Sequence, residues 1–274
     1  MTGTLWIVGT PIGNLGDIGT RAREVLGEVD LVAAEDTRRT GRLLQGFGIR
    51  KKMLSLYDAN ERDRVDRILT TLREGSSVAL VSDAGMPLVS DPGYRLVSAC
   101  VEEGIDVGVV PGPSAVLAAL VLSGLPTDRF TFEGFAPRRL GERTKRLQSL
   151  RDDPRTIILF EAPGRVKTLL RDALVVHGDR RAALCRELTK RHEEVRRGLI
   201  SELLGGLGED PKGEVVLVIE GAREAGPVDL DTCIAEAREL VAEGMRAREA
   251  ARAVAERHGA GVNEVYRALL AGDH

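Results

Sequence analysis

Two aspartates lie within one short stretch rich in glycine and proline, SDAGMPLVSDPG at 82–93. Carboxylates this close together could form an acid–base pair, a metal site, or one ligand contact beside one helix cap. Asp83 directly follows an apolar run, at a predicted strand end, where α/β sheets bind their ligands. Asp91 precedes Pro92 and an amphipathic stretch, which is typical of a helix start. We therefore interpret Asp83 as a ligand contact and Asp91 as a helix cap, and not as a catalytic or metal-binding pair.

Comparable loops follow the other predicted strands. They are GTPIGNLGD (9–17), AEDTRRT (34–40), PGPSA (111–115), EAPGR (161–165) and CRELTK (185–190). Glycine lets a backbone approach a ligand closely, and proline fixes the shape of a loop. Taken singly, each loop is also an ordinary connection, with Ser114 or Asp36 as a helix cap. The loop 9–17 matches neither the dinucleotide nor the phosphate-loop fingerprint, which disfavours a dehydrogenase or a nucleotide hydrolase.

Short apolar runs predict the strands that position these loops. The first set of runs is 4–8, 30–36, 53–57, 77–83 and 106–112. Amphipathic stretches such as 61–74 and 94–104 lie between them, and this alternation predicts a mainly parallel sheet covered on both faces. The second set of runs is 130–135, 155–163, 182–188, 195–200 and 214–221. Some gaps in this set are too short for a crossover helix, which predicts a mixed sheet.

These patterns predict an α/β protein with three regions. Residues 1–113 form an N-terminal α/β domain with a Rossmann-like sheet, and 114–226 form a second α/β domain with a mixed sheet. Residues 227–274 read as a small helical extension. The role of this extension is open between packing, against the second domain or a dimer mate, and a helix-turn-helix-like contact with RNA.

Composition narrows the class of protein. Of the 274 residues, 43% are hydrophobic, which is enough for a packed core. The three cysteines are far apart, no CxxC occurs and the four histidines are scattered, so neither a disulfide framework nor a zinc site is expected. The first residues do not resemble a secretory signal, and no apolar run approaches the roughly 20 residues of a membrane helix. The sequence therefore predicts a soluble cytoplasmic protein with no membrane partner.

Together, the loop motifs resemble the class III, tetrapyrrole-methylase-type family of S-adenosylmethionine-dependent methyltransferases. SDAGMPLVSDPG combined with PGPSA is typical of the whole family. AEDTR (34–38), RELTK (186–190) and the tail 247–270 resemble the branch that methylates 16S ribosomal RNA. FEAPGR (160–165) and KGEVVLVIEG (212–221) also match, so the resemblance spans nearly the whole chain.

The resemblance implies a two-domain fold that binds S-adenosylmethionine, and no metal, in a cleft between the α/β domains. Strand-end loops would contact this methyl donor through backbone groups and apolar side chains. The matching positions are Pro11, Asp83, Met86, Ser114, Ala115, Phe160 and Glu214, with Cys185 and Arg186 as weaker candidates. Met86 and Phe160 would supply an apolar wall for adenine.

The resemblance also implies methyl transfer to the ribose 2′-OH of a cytidine in the decoding region of 16S rRNA. This hydroxyl is a poor nucleophile, so a base or a proton-accepting contact would help. Asp36 and Lys190, at the rim of the predicted cleft, are our candidates for this step. The alternative is that these two residues, with Glu35, Arg38 and Glu187, form structural ion pairs or hold RNA phosphates.

The sequence departs from the family pattern at two places. The segment after the third strand reads YDANE (57–61), and the EAPGR motif contains Gly164, where histidine is usual in each case. We therefore assign no role to an imidazole at either place.

Contacts with RNA are expected from local basic stretches, because the chain as a whole has a formal net charge of −3. The longest stretch is RRLGERTKR at 138–146, with five basic residues and one acid. Aromatic residues make up only 3% of the chain, which argues against a stacking platform for single strands. We therefore expect recognition of folded 16S rRNA within the 30S subunit, and the resemblance suggests a homodimer.

Two other functions stay open from the sequence. A small-molecule methylase of the same fold, acting on a tetrapyrrole, would share the donor loops and lack the rRNA-type motifs. A non-catalytic RNA-binding protein of ribosome assembly would share the basic surface and have degraded donor loops.

Overall fold

The computed structural model describes residues 2–57, 60–208, 213–222, 230–258 and 260–271. The chain divides into two compact units, Met1–Gly221 and Ala222–His274. Both sheets lie in the larger unit, and the predicted boundary between residues 113 and 114 falls between them. The boundary predicted between residues 226 and 227 lies outside the described residues.

The first sheet was predicted to be mainly parallel, and all of its strand pairs are parallel. Its strands are β1 (Leu5–Val8), β2 (Leu31–Ala34), β3 (Lys52–Ser55), β4 (Val78–Val81) and β5 (Val107–Val110). Their spatial order is β3-β2-β4-β1-β5. The inner strands are apolar on both faces because helices cover both faces.

The helices on the two faces of the first sheet form two separate hydrophobic cores. These helices are α1 (Thr20–Glu28), α2 (Thr37–Gly46), α3 (Glu61–Arg73) and α4 (Tyr94–Glu102). Helices α3 and α4 pack on the face that carries Leu5 and Leu80. Helices α1 and α2 pack on the face that carries Val32 and Val81. Because parallel strands end at one edge, this arrangement brings the loops after β1, β2, β4 and β5 to the same edge of the sheet.

The second sheet is mixed, as predicted. Its strands are β6 (Phe130–Phe135), β7 (Thr156–Glu161), β8 (Arg181–Arg186), β9 (Glu194–Leu199) and β10 (Val215–Ile219), in the spatial order β6-β7-β10-β8-β9. Strands β6 and β7 are parallel, while β10 runs antiparallel to β7 and β8. The start of β10 therefore lies beside the ends of β7 and β8, where two of the predicted site motifs are found.

Helices cover both faces of the second sheet as well. One face packs against α6 (Leu140–Ser149), α7 (Val166–His177) and α8 (Ile200–Gly206), through residues such as Leu159 and Leu217. The other face packs against α5 (Ala115–Ser123), the helix that follows β5. Helix α5 thus connects the strand ends of the first sheet to the inner face of the second.

The smaller unit is helical, as predicted for the tail. It contains α9 (Leu230–Ala242), α10 (Ala247–His258) and α11 (Val262–Ala271). These helices enclose their own apolar core, which includes Cys233 and Val265. Among the residues that the structure describes, no helix is long and apolar enough to cross a membrane.

The start of α4 differs from the prediction. The N-cap is Gly93, with φ of 126°, and it makes no side-chain cap bond, so the assignment of Asp91 as the cap was wrong. Instead Glu61, a buried residue at the start of α3, caps this helix from a distance. Its Oε1 accepts hydrogen bonds from the backbone N–H groups of Gly93 (3.0 Å) and Arg95 (3.2 Å). The end of the 82–93 loop is therefore held by a carboxylate about thirty residues upstream in sequence.

This arrangement predicts that Glu61→Ala lowers the free energy of unfolding by about 1–3 kcal/mol, because two backbone N–H groups lose their acceptor. Thermal and urea unfolding measure the change. The control is Glu102→Ala, which removes an exposed carboxylate from α4 and should change stability by less than about 0.5 kcal/mol. Equal stability of the two variants would contradict the role of Glu61.

Candidate active site

The loops after β1, β4 and β5 are packed backbone to backbone. Thr10 and Gly85 exchange two hydrogen bonds, with N···O distances of 2.9 and 3.1 Å. A Cβ atom on Gly9 would lie 2.6 Å from the Cα of Gly112, and 2.7 Å from the Sδ of Met86. No side chain other than hydrogen fits between these backbones. Three loops are therefore fixed as one rim, built largely of main-chain groups.

The loop after β1 (residues 9–17), which we call the first loop, also contacts the core of the second sheet. Ile12 is buried in the core that contains Cys185 and Val216 of the second sheet and Leu188 of the loop after β8. Next to it, a Cβ atom on Gly13 would lie 2.5 Å from the Cγ of Lys190. The loop that carries Pro11 and the loop that carries Lys190 are therefore in contact, although they lie in opposite halves of the sequence.

An aromatic wall lines the second sheet. The ring of Phe160 lies 4.8 Å from that of Phe132 and 5.5 Å from that of Phe135, both in edge-to-face geometry. Phe160, Val216 and Cys185 form one cross-strand row. Phe135 is 58% exposed, so this wall is open to solvent at one end. Of these three residues, the sequence motifs indicated only Phe160. Strict alternation would place Phe132 and Phe135 on opposite faces of β6, and both reach Phe160 because the strand register shifts between them.

Helix α5 begins in PGPSA, as predicted. Ser114 is its N-cap, and its Oγ accepts a hydrogen bond from the N–H of Leu117 at 3.4 Å. Ala115 packs against the core of the second sheet. These residues therefore help to join the two sheets, and a contact with the donor stays a prediction for both.

The two weaker candidates for donor binding, Cys185 and Arg186, have partners within the protein. The Cys185 thiol is fully buried, burial raises its pKa to about 11, and it lies 3.9 Å from the carbonyl oxygen of Ala119. Arg186 donates from Nε to Glu194 at 3.0 Å. Cys185 can therefore contribute apolar volume to the site and not a reactive thiolate.

Asp83 joins the end of β4 to the start of α2. Its Oδ1 accepts a hydrogen bond from the N–H of Asp36 at 3.1 Å, and its Oδ2 forms an ion pair with Arg39 at 3.2 Å. Its own N–H donates to Glu35 at 3.4 Å. These contacts position AEDTR against the 82–93 loop, whichever ligand the site holds.

Asp36 is the N-cap of α2. Its Oδ1 accepts from the N–H of Arg38 at 2.8 Å, and its Oδ2 pairs with the guanidinium of the same residue at 2.9 Å. These hydrogen bonds lower the pKa of Asp36 to about 2. A carboxylate with so low a pKa is a weak proton acceptor, which favours the structural alternative for this residue.

Lys190 lies between two carboxylates at the edge of the second sheet. Its Nζ is 3.0 Å from Oε1 of Glu187 and 3.2 Å from Oε2 of Glu214. Burial opposes the charge of the ammonium, but the hydrogen bonds and charges of Glu187 and Glu214 outweigh it and raise the pKa of Lys190. Lys190 is therefore cationic at neutral pH and offers hydrogen-bond donors, not a lone pair.

Backbone strain is concentrated at two of these loops. Within the described part of the chain, the residues other than glycine with positive φ are Leu88 (70°), Ser90 (67°), Glu187 (51°) and Thr189 (64°). Two lie in the 82–93 loop and two in RELTK. Such conformations persist only where the surroundings impose them, and they cluster at functional sites. Both loops are thus built to a specific shape.

A family model described as Tetrapyrrole (Corrin/Porphyrin) Methylases matches residues 4–204. The chain belongs to this family. The match covers both sheets up to β9 and includes most of the strand-end loops described above. It confirms the family predicted from the motifs.

Several curated relatives of this methylase have the name Ribosomal RNA small subunit methyltransferase I. The protein from Escherichia coli O157:H7 is 45% identical over 272 residues, which cover 98% of this chain and 95% of that protein. The protein from Thermotoga maritima is 50% identical over 220 residues, which cover 80% of this chain and 99% of that protein. The first of these similarities extends over nearly the whole chain, including the helical unit.

Solved structures show the same fold at lower sequence identity. A diphthine synthase matches with a TM-score of 0.60 at 16% identity, over 79% of this chain and 89% of that one. A uroporphyrin-III-C-methyltransferase from Thermus thermophilus matches with a TM-score of 0.57 at 22% identity, over 79% and 94%. These two solved proteins therefore share the two-sheet α/β architecture of the methylase.

The basic stretch 138–146 of the methylase divides into structural and exposed residues. Arg143 is buried: its Nε donates to Asp172 at 2.6 Å, and its Nη1 donates to two backbone carbonyls. Arg146 pairs with Glu133 at 2.9 Å. Arg138 and Arg139 are exposed at the start of α6, directly after β6. Because β6 and β7 are parallel, these two arginines lie at the sheet edge where β7 ends.

The glycine packing of the methylase predicts that Gly9→Ala lowers the free energy of unfolding by about 1–3 kcal/mol, because the new methyl group overpacks the contact with Gly112. Thermal unfolding measures the change. Gly27→Ala is the matched control: a Cβ atom there meets nothing within 4 Å, and its position within α1 makes the change neutral or stabilising. A Gly9→Ala variant as stable as the Gly27→Ala variant would show that the loops are not tightly packed.

Proposed function

We propose that this methylase transfers a methyl group from S-adenosylmethionine to the ribose 2′-OH of a cytidine in the decoding region of 16S rRNA. The observation that carries the proposal is the 45% identity, over 98% of this chain, to a protein named Ribosomal RNA small subunit methyltransferase I. The loops after β1, β4 and β5 carry motifs that resemble the whole family, and the loops after β2 and β8 carry AEDTR and RELTK, which resemble the rRNA branch.

The rim and the aromatic wall are suited to the methyl donor. When bound, S-adenosylmethionine supplies an electrophilic methyl group on a sulfonium that is already a good leaving group. Backbone groups near Pro11 and Asp83 can hydrogen-bond its polar parts, and the wall that contains Phe160 suits the adenine ring. Met86, packed against Gly9, adds a polarizable apolar side chain to the same rim. Ser114, Ala115 and Glu214 complete the proposed set.

Lys190 is our candidate for the chemical step. A ribose hydroxyl gains negative charge on its oxygen as it loses its proton, and a fixed cation next to this oxygen stabilises that charge. The Lys190 ammonium is fixed by Glu187 and Glu214 and lies against the first loop through its stem. Asp36 stays a hypothesis for the proton acceptor. Its contacts with Arg38 favour a role in holding the start of α2.

Substrate binding is proposed to use the exposed arginines at the start of α6. Arg138 and Arg139 lie at the sheet edge where β7 ends, and phosphate groups of RNA bind such side chains. The formal net charge of −3 disfavours tight electrostatic binding of bare RNA by the chain as a whole. We therefore propose that the substrate is 16S rRNA within the 30S subunit, which places the reaction in the cytoplasm.

A homodimer is proposed from the apolar surface of α5. This helix is apolar on all sides, yet Leu117 is 52% exposed and Val121 is 70% exposed. The neighbouring edge strand β5 exposes Val109. An exposed apolar helix that follows an edge strand with an exposed valine is a surface that a second copy of the chain would bury.

The decisive experiment is transfer of labelled methyl groups to 30S subunits and to protein-free 16S rRNA. We expect efficient transfer to the subunit, poor transfer to the free RNA, and a single 2′-O-methylated cytidine when the product is mapped. Calorimetric titration with S-adenosylmethionine checks donor binding independently. Equal transfer to both substrates would contradict the preference for the subunit, and donor binding without any transfer to RNA would contradict the rRNA substrate.

The exposed arginines give a second prediction. The Arg138→Gln, Arg139→Gln double variant should raise KM for 30S subunits severalfold and leave kcat within twofold. It should also reduce the slope of log KM against log salt by about one for each phosphate that these side chains bind. Steady-state kinetics at several salt concentrations measure both effects.

The control for this double variant is Arg171→Gln, which removes an exposed charge from α7 and should change neither KM nor the salt slope. An unchanged salt slope in the double variant would exclude Arg138 and Arg139 from RNA binding.

A further inference from the structure

We propose that Glu187 is a positioning residue, which fixes the Lys190 ammonium against the first loop so that it faces an anionic oxygen of the RNA. This inference rests on the function proposed above. It assigns a role in methyl transfer to a residue that is neither a candidate ligand of the donor nor a candidate for the chemical step.

Glu187 connects three parts of the site through one carboxylate oxygen. Its Oε1 accepts a hydrogen bond from Lys190 Nζ at 3.0 Å and another from the backbone N–H of Glu214 at 3.0 Å. Its backbone N–H donates to the carbonyl of Glu214 at 3.1 Å, and its carbonyl accepts from the backbone N–H of Lys190 at 3.0 Å. The end of β8, the start of β10 and the lysine are therefore held by the same residue.

The backbone around Glu187 is shaped for this contact. Glu187 itself has φ of 51° and Thr189 has φ of 64°, conformations that residues with a side chain adopt only when their surroundings impose them. Gly213 has φ of 89°, and a Cβ atom there would collide with the carboxylate group of Glu187. Glycine at this position thus leaves the space that the Glu187 side chain occupies.

The Lys190 ammonium has donor capacity left for a substrate. An ammonium carries three N–H donors, and the described residues accept from it at two oxygens, one on Glu187 and one on Glu214. Its aliphatic stem lies against Gly13 of the first loop. A third donor held in this way at the rim can meet a negatively charged oxygen. In the proposed reaction that oxygen is the ribose 2′ oxygen as it loses its proton; a backbone phosphate is the other source of the same charge.

Glu187 and Glu214 are not equivalent partners of the lysine. The side chain of Glu187 is 22% exposed, whereas that of Glu214 is 68% exposed. Water screens a charge on an exposed carboxylate, so Glu187 contributes more to fixing the ammonium. The hydrogen bond from Lys190 also lowers the pKa of Glu187, with a smaller contribution from the charge of Arg186. The pair therefore stays ionised through the neutral range.

The test is the pH profile of Glu187→Gln in methyl transfer to 30S subunits. Removing this negative charge lowers the pKa of Lys190, so activity should be lost at a lower pH on the alkaline side than in the parent protein. At neutral pH we expect kcat to fall about tenfold or more, with KM for 30S subunits and the donor Kd within twofold. Glu187→Asp keeps the negative charge on a shorter side chain. This variant should lose activity at the same alkaline pH as the parent protein, while its kcat stays low.

A second measurement does not depend on activity. The rate at which Lys190 reacts with a small acylating reagent, followed by peptide mass spectrometry over pH, reports its pKa directly. The Glu187→Gln variant should react at lower pH than the parent protein. Glu220→Gln is the control for loss of a carboxylate at the opposite end of β10, and it should change neither the pH profile nor the acylation of Lys190.

The outcomes separate this inference from the proposed function. If the parent protein methylates no RNA, the proposed function fails, while the acylation profile still tests the contact between Glu187 and Lys190. An unchanged acylation profile and alkaline limb in Glu187→Gln would overturn the positioning role. A higher KM with unchanged kcat would assign Lys190 to a backbone phosphate and would overturn the role in the chemical step.

Discussion

The contact between the backbones of Gly9 and Gly112 is the constraint on which the candidate site depends. A side chain at either position would separate the loops after β1 and β5. Because Thr10 and Gly85 also exchange hydrogen bonds, the loop after β4 is joined to them. Three strand ends are therefore packed into one rim. Methyl transfer is an in-line displacement whose rate depends on alignment, so a rim of main-chain groups with little freedom suits this chemistry.

The second sheet contributes what main-chain groups cannot supply. Its inner face carries the aromatic wall around Phe160, and its edge carries the cation of Lys190 between two carboxylates. Other charged residues near the site form ion pairs within the protein: Asp83 pairs with Arg39, and Arg186 pairs with Glu194. In each pair the two charges neutralise each other, and the contact fixes the position of a loop. Charge that can act on a substrate is thus concentrated at few positions.

The fold could be predicted from the sequence because it follows from local patterns. Each strand is a short apolar run, and the spacing between runs separates a parallel sheet from a mixed one. The cap of α5 at Ser114 was equally local. The cap of α4 could not be predicted in this way. Glu61 lies in a different helix, α3, and nothing near Asp91 in sequence indicates its hydrogen bond to Gly93. The stretch 138–146 shows the same limit, since only burial distinguishes Arg143 from Arg138.

The residues of the site could be predicted by position more readily than by role. Asp36, Asp83 and Lys190 were predicted because they follow strands. The loops of Asp36 and Asp83 lie at neighbouring strand ends of the first sheet, and Lys190 lies against Gly13 of the loop after β1. Their roles depend on partners that sequence does not display: Arg38 lowers the pKa of Asp36, whereas Glu187 and Glu214 raise that of Lys190. The contact of the Lys190 stem with Gly13 joins the cation to the glycine rim. Alignment and charge are therefore not independent in this site, because any movement of the first loop also moves the surface against which the cation is held.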